Sequence, residues 1–346
     1  MILYFADKTW NIVGTASTVL QKGVKILNDK YVKSLKGGTS SLTFYLSVEN
    51  ADLSAIEKIA FPGYSILRKE KNTEEVFAIL ETEYDTSTGL MWVSAESGGL
   101  ELLNDVLPAY ANSTARSLQY YAEHFLTGTG FTIGENELAS LTRTLSWDGE
   151  STVTQRLQSL ANYFGGEIAY SFDIENLTVT GKHVNFYNQR GKDIGRTLRT
   201  SVEIDKILVK RNAGNFATAL YPTSGTITLS GASYDDGDIY VDGVYLKSRN
   251  ALDEWGGNHI FKLYSSSASD RESLLTESIA KLKQVRNLST TYDVKFAYMP
   301  DNIDVGDTVT IIDERNDLAL TARIEQITIQ DSAETYSATI SNIAEV

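Results

Sequence analysis

Gly63-Tyr64-Ser65-Ile66-Leu67 opens the stretch that decides the fold. A charged turn follows (Lys69-Glu70-Lys71-Asn72), then the apolar run Val76-Phe77-Ala78-Ile79, the polar turn Asp85-Thr86-Ser87-Thr88-Gly89, and Leu90-Met91-Trp92-Val93. Short apolar runs separated by charged and Gly-containing turns read as an antiparallel meander. The same order recurs 243 residues later, from Gly306. Asp307-Thr308-Val309-Thr310 is followed by Asp313-Glu314-Arg315-Asn316, then Leu318–Ile329, Asp331-Ser332-Ala333-Glu334 and Tyr336–Ile340. An alternating strand precedes each copy: Leu42–Val48, with Leu42, Phe44, Leu46 and Val48 on one face, and Tyr292–Tyr298. Strand order, turn charge and spacing agree together, so the sequence predicts two related antiparallel barrels with other domains inserted between them.

Between the copies the pattern changes period. Leu118, Tyr121, Ala122 and Phe125 fall at i, i+3, i+4 and i+7, one face of a helix within Thr114–Leu126. Val153, Leu157, Leu160, Ala161 and Phe164 define a second helix, with Ser151 as its expected cap and Gly165-Gly166 as its stop. Strands Glu167–Phe172 and Leu177–Lys182 complete a small α+β unit. Val202–Val209 and Ala217–Tyr221 return to strand, a Gly-, Ser- and Asp-rich stretch covers Thr223–Gly243, and Ala268–Val285 is a third helix. The predicted fold class is mainly β with α+β insertions. The predicted domains are a barrel over 1–99, an α+β domain over 100–199, a discontinuous second barrel over 200–225 and 288–346, and an inserted β/α domain over 226–287.

The 346 residues are 42% hydrophobic and 22% charged, enough to bury a sizeable core in several domains. The abundance of Tyr over Phe, 19 against 12, suits half-buried strand surfaces. A net charge of −14 disfavours sequence-specific binding to nucleic acid, which needs Lys and Arg to displace counterions from phosphate. The absence of Cys excludes disulfides and thiolate metal sites. No apolar run reaches the ~18 residues of a membrane span, and Met1–Asp7 lacks the basic start of a signal peptide. The sequence reads as that of a soluble protein.

Residues that carry chemistry are scattered. His124, His183 and His259 have no neighbour at metal-ligand spacing. Asp235, Asp236 and Asp238 around Gly237 offer hard oxygens but lack the spacing and distal Glu of a calcium loop. Glu135/Glu137 and Asp148/Glu150 are carboxylate pairs without positional support for glycoside hydrolysis. Gly128, Gly130 and Gly134 follow a helix rather than a strand and read as loop glycines. No nucleophile elbow or phosphate loop occurs. The expectation is no catalytic residue, no metal ligand and no cofactor.

Several segments, in order, resemble one family. They are Leu42-Thr43-Phe44-Tyr45-Leu46, then Val93-Ser94-Ala95-Glu96 with Leu100-Glu101-Leu102-Leu103, then the helix Leu157–Phe164 with Gly165-Gly166-Glu167-Ile168. Ile207-Leu208-Val209-Lys210-Arg211 and Ala217-Thr218-Ala219-Leu220-Tyr221-Pro222 follow, and last come Ile303-Asp304-Val305-Gly306-Asp307-Thr308-Val309 and Leu320-Thr321-Ala322-Arg323-Ile324. Together they look like the N-terminal hub region of phage minor structural proteins, the tail-associated lysin or prophage endopeptidase tail family, similar to contractile-tail baseplate hubs. The resemblance implies a structural hub of a phage or prophage tail tip. It implies a homotrimeric ring that joins tail tube to tip around the DNA channel, with the tail tube, distal tail protein and tape measure protein as partners. It places the chain at the virion tail tip after assembly in the host bacterial cytoplasm. In longer members a hydrolase or fibre follows the hub, and this chain ends at Val346, so the catalytic part is expected to be absent. The alternatives are a wall-degrading tail peptidase, as the family label implies, and a receptor- or carbohydrate-binding module. Trp10, Trp92, Trp147 or Trp255 exposed on one rim would favour the binding module.

Overall fold

The structure, a computed structural model, describes residues 1–19, 23–47, 53–70, 73–266, 268, 270–316 and 318–342. It divides into two compact units, Met1–Ile207 with Asp293–Val346, and Leu208–Tyr292.

The first unit begins with a closed barrel of seven strands: β1 (Ile2–Ala6), β2 (Ile12–Ser17), β3 (Val24–Ser34), β4 (Ser40–Ser47), β5 (Ser65–Glu70), β6 (Thr73–Asp85) and β7 (Leu90–Ser97). They run in the order β3-β2-β1-β5-β6-β7-β4, and β4 returns to β3. Every pair is antiparallel except β2 with β3. Alternation decides which residues face inward. Leu42, Phe44 and Leu46 of β4 and Met91, Val93 and Ala95 of β7 point into a core shared with Leu3, Phe5, Phe77 and Ile79. Val48, Lys71 and Asn72, read above as strand end and turn, lie outside the described residues.

The C-terminal strands form an open half-barrel. Its order is Asp193–Arg199, Thr308–Asp313, Leu318–Gln330, Thr335–Asn342, Ser289–Phe296 and Ile204–Asn212. Four of its strands repeat the arrangement of the first barrel: β5-β6-β7-β4 matches Thr308–Asp313, Leu318–Gln330, Thr335–Asn342 and Ser289–Phe296. The register repeats as well. Ile79 pairs with Ala95 and Glu81 with Ser94 across a bulge, and Ile324 pairs with Ile340 and Gln326 with Thr339 across another. The half-barrel joins the barrel edge to edge, Gln326–Ile329 pairing antiparallel with Tyr31–Ser34 of β3, so both belong to one 13-stranded sheet.

The α+β region packs helices Leu118–Leu126 and Val153–Tyr163 on a three-stranded sheet of Thr132–Asn136, Thr178–Tyr187 and Glu167–Glu175. Leu118, Tyr121, Ala122, Phe125, Leu157, Leu160 and Ala161 are buried together, the residues that the 3.6 period selected. Thr152, not Ser151, caps the second helix. Its hydroxyl accepts the Gln155 N–H while the Gln155 side chain accepts the Thr152 N–H, a closed capping box. Ser151 instead accepts a hydrogen bond from Arg156 Nε at 2.9 Å. The helix stops as expected, with Gly165 at φ 74° and the Gly166 N–H returning to Ala161 O at 2.9 Å.

In the second unit Ala219–Ser224 pairs with Ile227–Thr228, Tyr245–Ser248 and Phe261–Ser265, and Ile239–Asp242 adds a further strand. This five-stranded sheet packs on the helix Arg271–Val285 through Leu220, Ile239, Leu246, Leu274 and Leu282. Residues 219–224, expected from sequence in the second barrel, therefore lie in this sheet.

Candidate functional site

The residues weighed from sequence do not converge. His124 stacks on Tyr110 with ring centroids 4.6 Å apart. His183 bridges Asp173 Oδ2 and Thr132 Oγ1, each at 2.9 Å. His259 Nδ1 lies 2.9 Å from Thr218 Oγ1, and burial lowers its pKa. Asp235 is gripped by two Arg249 nitrogens at 2.8 Å, which holds its carboxyl down at about 2. Asp236 caps the turn at Asp238 and Ile239, and Asp238 binds Ser248, Asn250 and Arg286. The acidic loop is thus tied up by protein donors. Glu137 accepts the Asn188 N–H at 2.9 Å, while Asp148 and Glu150 are exposed. Among the described residues no group of three or more His, Asp or Glu is placed to hold a metal ion.

The tryptophans are dispersed too. Trp147 is built into an aromatic cluster, 5.2 Å from Phe125, 5.8 Å from Tyr121 and 5.9 Å from Tyr163. Trp255, 45% exposed, leans on Phe216. Trp10 lies in a barrel turn and Trp92 in β7, both half-buried. Trp255 belongs to the second unit and the other three to the first.

The first unit instead holds a polar cleft of about 880 Å³ where barrel, α+β region and half-barrel meet. Arg323 lies beside it. Its guanidinium donates to both Glu167 oxygens at 2.6 and 2.7 Å, to Gly306 O at 3.0 Å and to Arg190 O at 2.6 Å. The Arg190 N–H also donates to Glu167, at 2.8 Å. Burial alone would raise the Glu167 pKa, but the bonds from Arg323 and Arg190 win and leave it lowered. Across the cleft Lys33 pairs with Asp304 at 2.7 Å. Asp307 accepts the N–H groups of Lys192 and Asp304 at 3.0 and 2.9 Å. Tyr31 donates to Glu75 at 2.8 Å under the Arg68 guanidinium, which sits 4.2 Å above the Tyr31 ring. Burial pushes the pKa values of Tyr31 and Glu75 up.

A second bond set ties the two barrels beside this cleft. Fully buried Asp29 of β3 accepts the N–H groups of Asp331 and Ser332 at 2.8 and 2.7 Å. These carboxylates hold backbone donors and cations of neighbouring segments. These bonds tie barrel, α+β region and half-barrel to one another within the first unit. Sequence reasoning passed over Asp29, Glu167, Arg190 and Arg323. Their only signal is spatial, since Glu167 and Arg323 stand 156 residues apart.

The fold is that of prophage tail proteins. Residues 192–345 match the family model described as Prophage endopeptidase tail, the family that the order of segments pointed to. The 43 kDa tail protein of prophage MuSo2 from Shewanella oneidensis superposes with a TM-score of 0.69 at 11% identity, over 99% of this chain and 98% of that one. Prophage tail protein gp18 from Listeria monocytogenes EGD-e gives 0.60 at 14% identity, over 100% and 95%. The E. coli c3393 protein gives 0.50 at 11% identity, over 94% and 76%. It is described as a component of the type VI secretion system with structural similarity to T4 bacteriophage tail proteins gp27 and gp5. No curated protein sequence matches the chain.

Proposed function

We propose that this chain is a structural hub of a phage or prophage tail tip, in which three copies close a ring between tail tube and tip around the DNA channel. The observation that carries this reading is the repeat within one chain. Gly63 and Gly306 open two meanders with the same strand order and the same bulge, and the two are joined edge to edge. Two barrel-like bodies per chain let three chains present six similar faces to a sixfold tube, and a closed ring of this kind needs head-to-tail contacts. The match of residues 192–345 to a prophage tail family, and the fold shared with tail proteins, support a structural role in a tail. The domains that serve this role are a barrel over 1–99, an α+β domain over 100–192, a half-barrel over 193–207 and 293–346, and an insert over 208–292. The partners are further copies of the chain, the tail tube, the distal tail protein and the tape measure protein. The chain works in the virion tail tip after assembly in the host cytoplasm, and it is not itself an enzyme. Labelling tails with an antibody against the chain, with mass measurement of the purified ring, tests the reading. Label at the tip and a species three times 38.2 kDa support it, whereas label along the tail shaft or a stable dimer would sink it.

A further inference from the structure

The α+β region keeps one sheet edge bare beside a helix. Its strands run in the order Thr132–Asn136, Thr178–Tyr187 and Glu167–Glu175, so Thr132–Asn136 is paired on one side only, in parallel with Thr178–Tyr187. The Glu135 N–H turns inward to Asn185 Oδ1 at 2.8 Å, and the Glu137 N–H turns inward to Phe186 O at 2.9 Å. Main-chain groups alternate in direction along a strand, so the Asn136 N–H between them turns outward. No further strand pairs with this edge among the described residues.

The helix Leu118–Leu126 and that strand leave a groove of about 470 Å³ between them. Leu126, Phe131 and Ile133 supply its apolar lining, and Gln119 and Glu123 line the helix side. Gln119 donates to Glu123 at 2.7 Å, and the lining holds no Lys or Arg. Lys182, over the Phe131 ring at 5.4 Å, is held by Glu101 at 2.5 Å. Glu123 stands in the last turn of its helix, at the negative end of the helix dipole. Its own helix disfavours an acid there, and a cation from outside would relieve both. On the strand side, Asn136 Oδ1 accepts the Leu138 N–H at 3.1 Å, while Asn136 Nδ2 is buried without a partner among the described residues. A buried donor left unpaired is costly, and a carbonyl arriving in the groove would satisfy it.

We propose that this groove docks an extended segment of a partner protein, added as a further strand beside Thr132–Asn136, with a Lys or Arg side chain set against Glu123 and an apolar side chain against Leu126, Phe131 and Ile133. A bare edge is a template for another strand. Strand addition supplies main-chain bonds, and the neighbouring pocket selects side chains. A lining with an acid and no base selects a cation. A helical partner would leave the edge groups and Asn136 unmet, and an acidic segment would meet Glu123 and the negative helix end together. The groove lies wholly within the first unit, and docking there needs no ring of copies.

The probe is a capped, fluorescently labelled peptide of alternating Lys and Val, about seven residues long, the length of an ordinary strand. Its counterpart carries Glu in place of Lys. Anisotropy with the full chain, at about 0.15 M salt to screen long-range attraction, is expected to show saturable binding of the Lys peptide and none of the Glu peptide. Glu123→Lys is expected to weaken the Lys peptide by about tenfold, the loss of one charge-assisted contact, and to admit the Glu peptide. That variant keeps its helix, since a basic residue suits the last turn. Glu150→Lys makes the same change of charge on an exposed residue outside the groove and is expected to leave binding unchanged. Hydrogen exchange of the Asn136 amide is expected to slow when the Lys peptide binds. Equal weakening by Glu123→Lys and Glu150→Lys would reduce the effect to attraction by the net charge of −14 and overturn the site. An Asn136 amide that exchanges as fast in the bound state overturns strand addition, and binding of neither peptide overturns the proposal as a whole.

Discussion

Gly63 donates its backbone N–H to Ile79 O at 2.8 Å, and the Ile79 N–H returns to Tyr64 O at 2.8 Å; Gly306 and Ile324 repeat this exchange, at 2.8 Å to Ile324 O and 2.9 Å back to Asp307 O. Each glycine sits at positive φ, 85° and 93°, at the mouth of its meander, and each isoleucine is the residue before the bulge. The bend that curls each long strand and the turn that enters the meander are thus pinned to one another by two bonds.

The two glycines are not equally replaceable. A Cβ at Gly63 meets only the far end of Lys8, at 3.4 Å, whereas at Gly306 it would lie 2.5 Å from the Arg190 carbonyl oxygen. Gly63→Ala therefore costs mainly the left-handed backbone strain, about 1–2 kcal/mol. Gly306→Ala adds a clash with backbone that cannot swing away. Urea unfolding of both variants is expected to rank Gly306→Ala as clearly the more damaging, and equal midpoints would contradict the geometry.

The Arg323–Glu167 pair gives a pH dependence of known sign. The folded Glu167 pKa lies below its ordinary value of 4.5, so its contribution is complete above that value and is lost as pH falls through the folded pKa. Arg323 is 16% and Glu167 28% exposed, so breaking the pair falls at the low end of the cost for buried pairs, about 3 kcal/mol for Arg323→Met at pH 7. Glu167→Gln is expected to flatten the decline in melting temperature as pH falls below 4.5. An unchanged acid limb in that variant would show that other carboxylates control it.

Arg156 is 1% exposed, and its hydrogen bonds among the described residues go to a hydroxyl and two carbonyls. Ser151 Oγ, Pro108 O and Gly149 O accept from it, and it lies over the Trp147 and Phe125 rings at 5.1 and 5.4 Å. A planar guanidinium can serve three acceptors and two rings at once, and an ammonium cannot. Arg156→Lys is expected to lower stability by about 2 kcal/mol, read as a fall in melting temperature. A wild-type melting temperature in that variant would mean that charge alone suffices.

Which parts were legible follows from the range of the signals. The repeat around Gly63 and Gly306 was readable because strand, turn charge and spacing are local and occur twice. The helix faces at Leu118–Phe125 and Leu157–Ala161 were readable because a 3.6 period is local too. Ala217–Tyr221 reads as a strand, but alternation selects a strand and not its neighbours, so its pairing with Tyr245–Ser248 and Phe261–Ser265 is not legible in the sequence. Thr152 and Ser151 are both good caps by type, and only the Gln155 side chain and the demand of Arg156 for Ser151 separate them. The ties that lock the first unit, Glu167 to Arg323 and Asp29 to Asp331, join residues 156 and 302 positions apart, which no periodicity reports.

The last prediction concerns charge and assembly. Of 45 acidic and 31 basic residues, 36 and 22 lie in the first unit, leaving nine of each in the second, so the whole net charge of −14 sits on the unit that holds both barrels. Copies that meet through those barrels repel at long range. Salt at 0.15 M screens exposed charges beyond about 8 Å, which removes most of the repulsion, whereas exposed pairs contribute only about 0–1 kcal/mol in any case. Screening therefore favours association. Sedimentation of the full chain is expected to show a larger associated fraction at 0.3 M than at 0.01 M salt, and the reverse order would mean that attraction between opposite charges drives the contact.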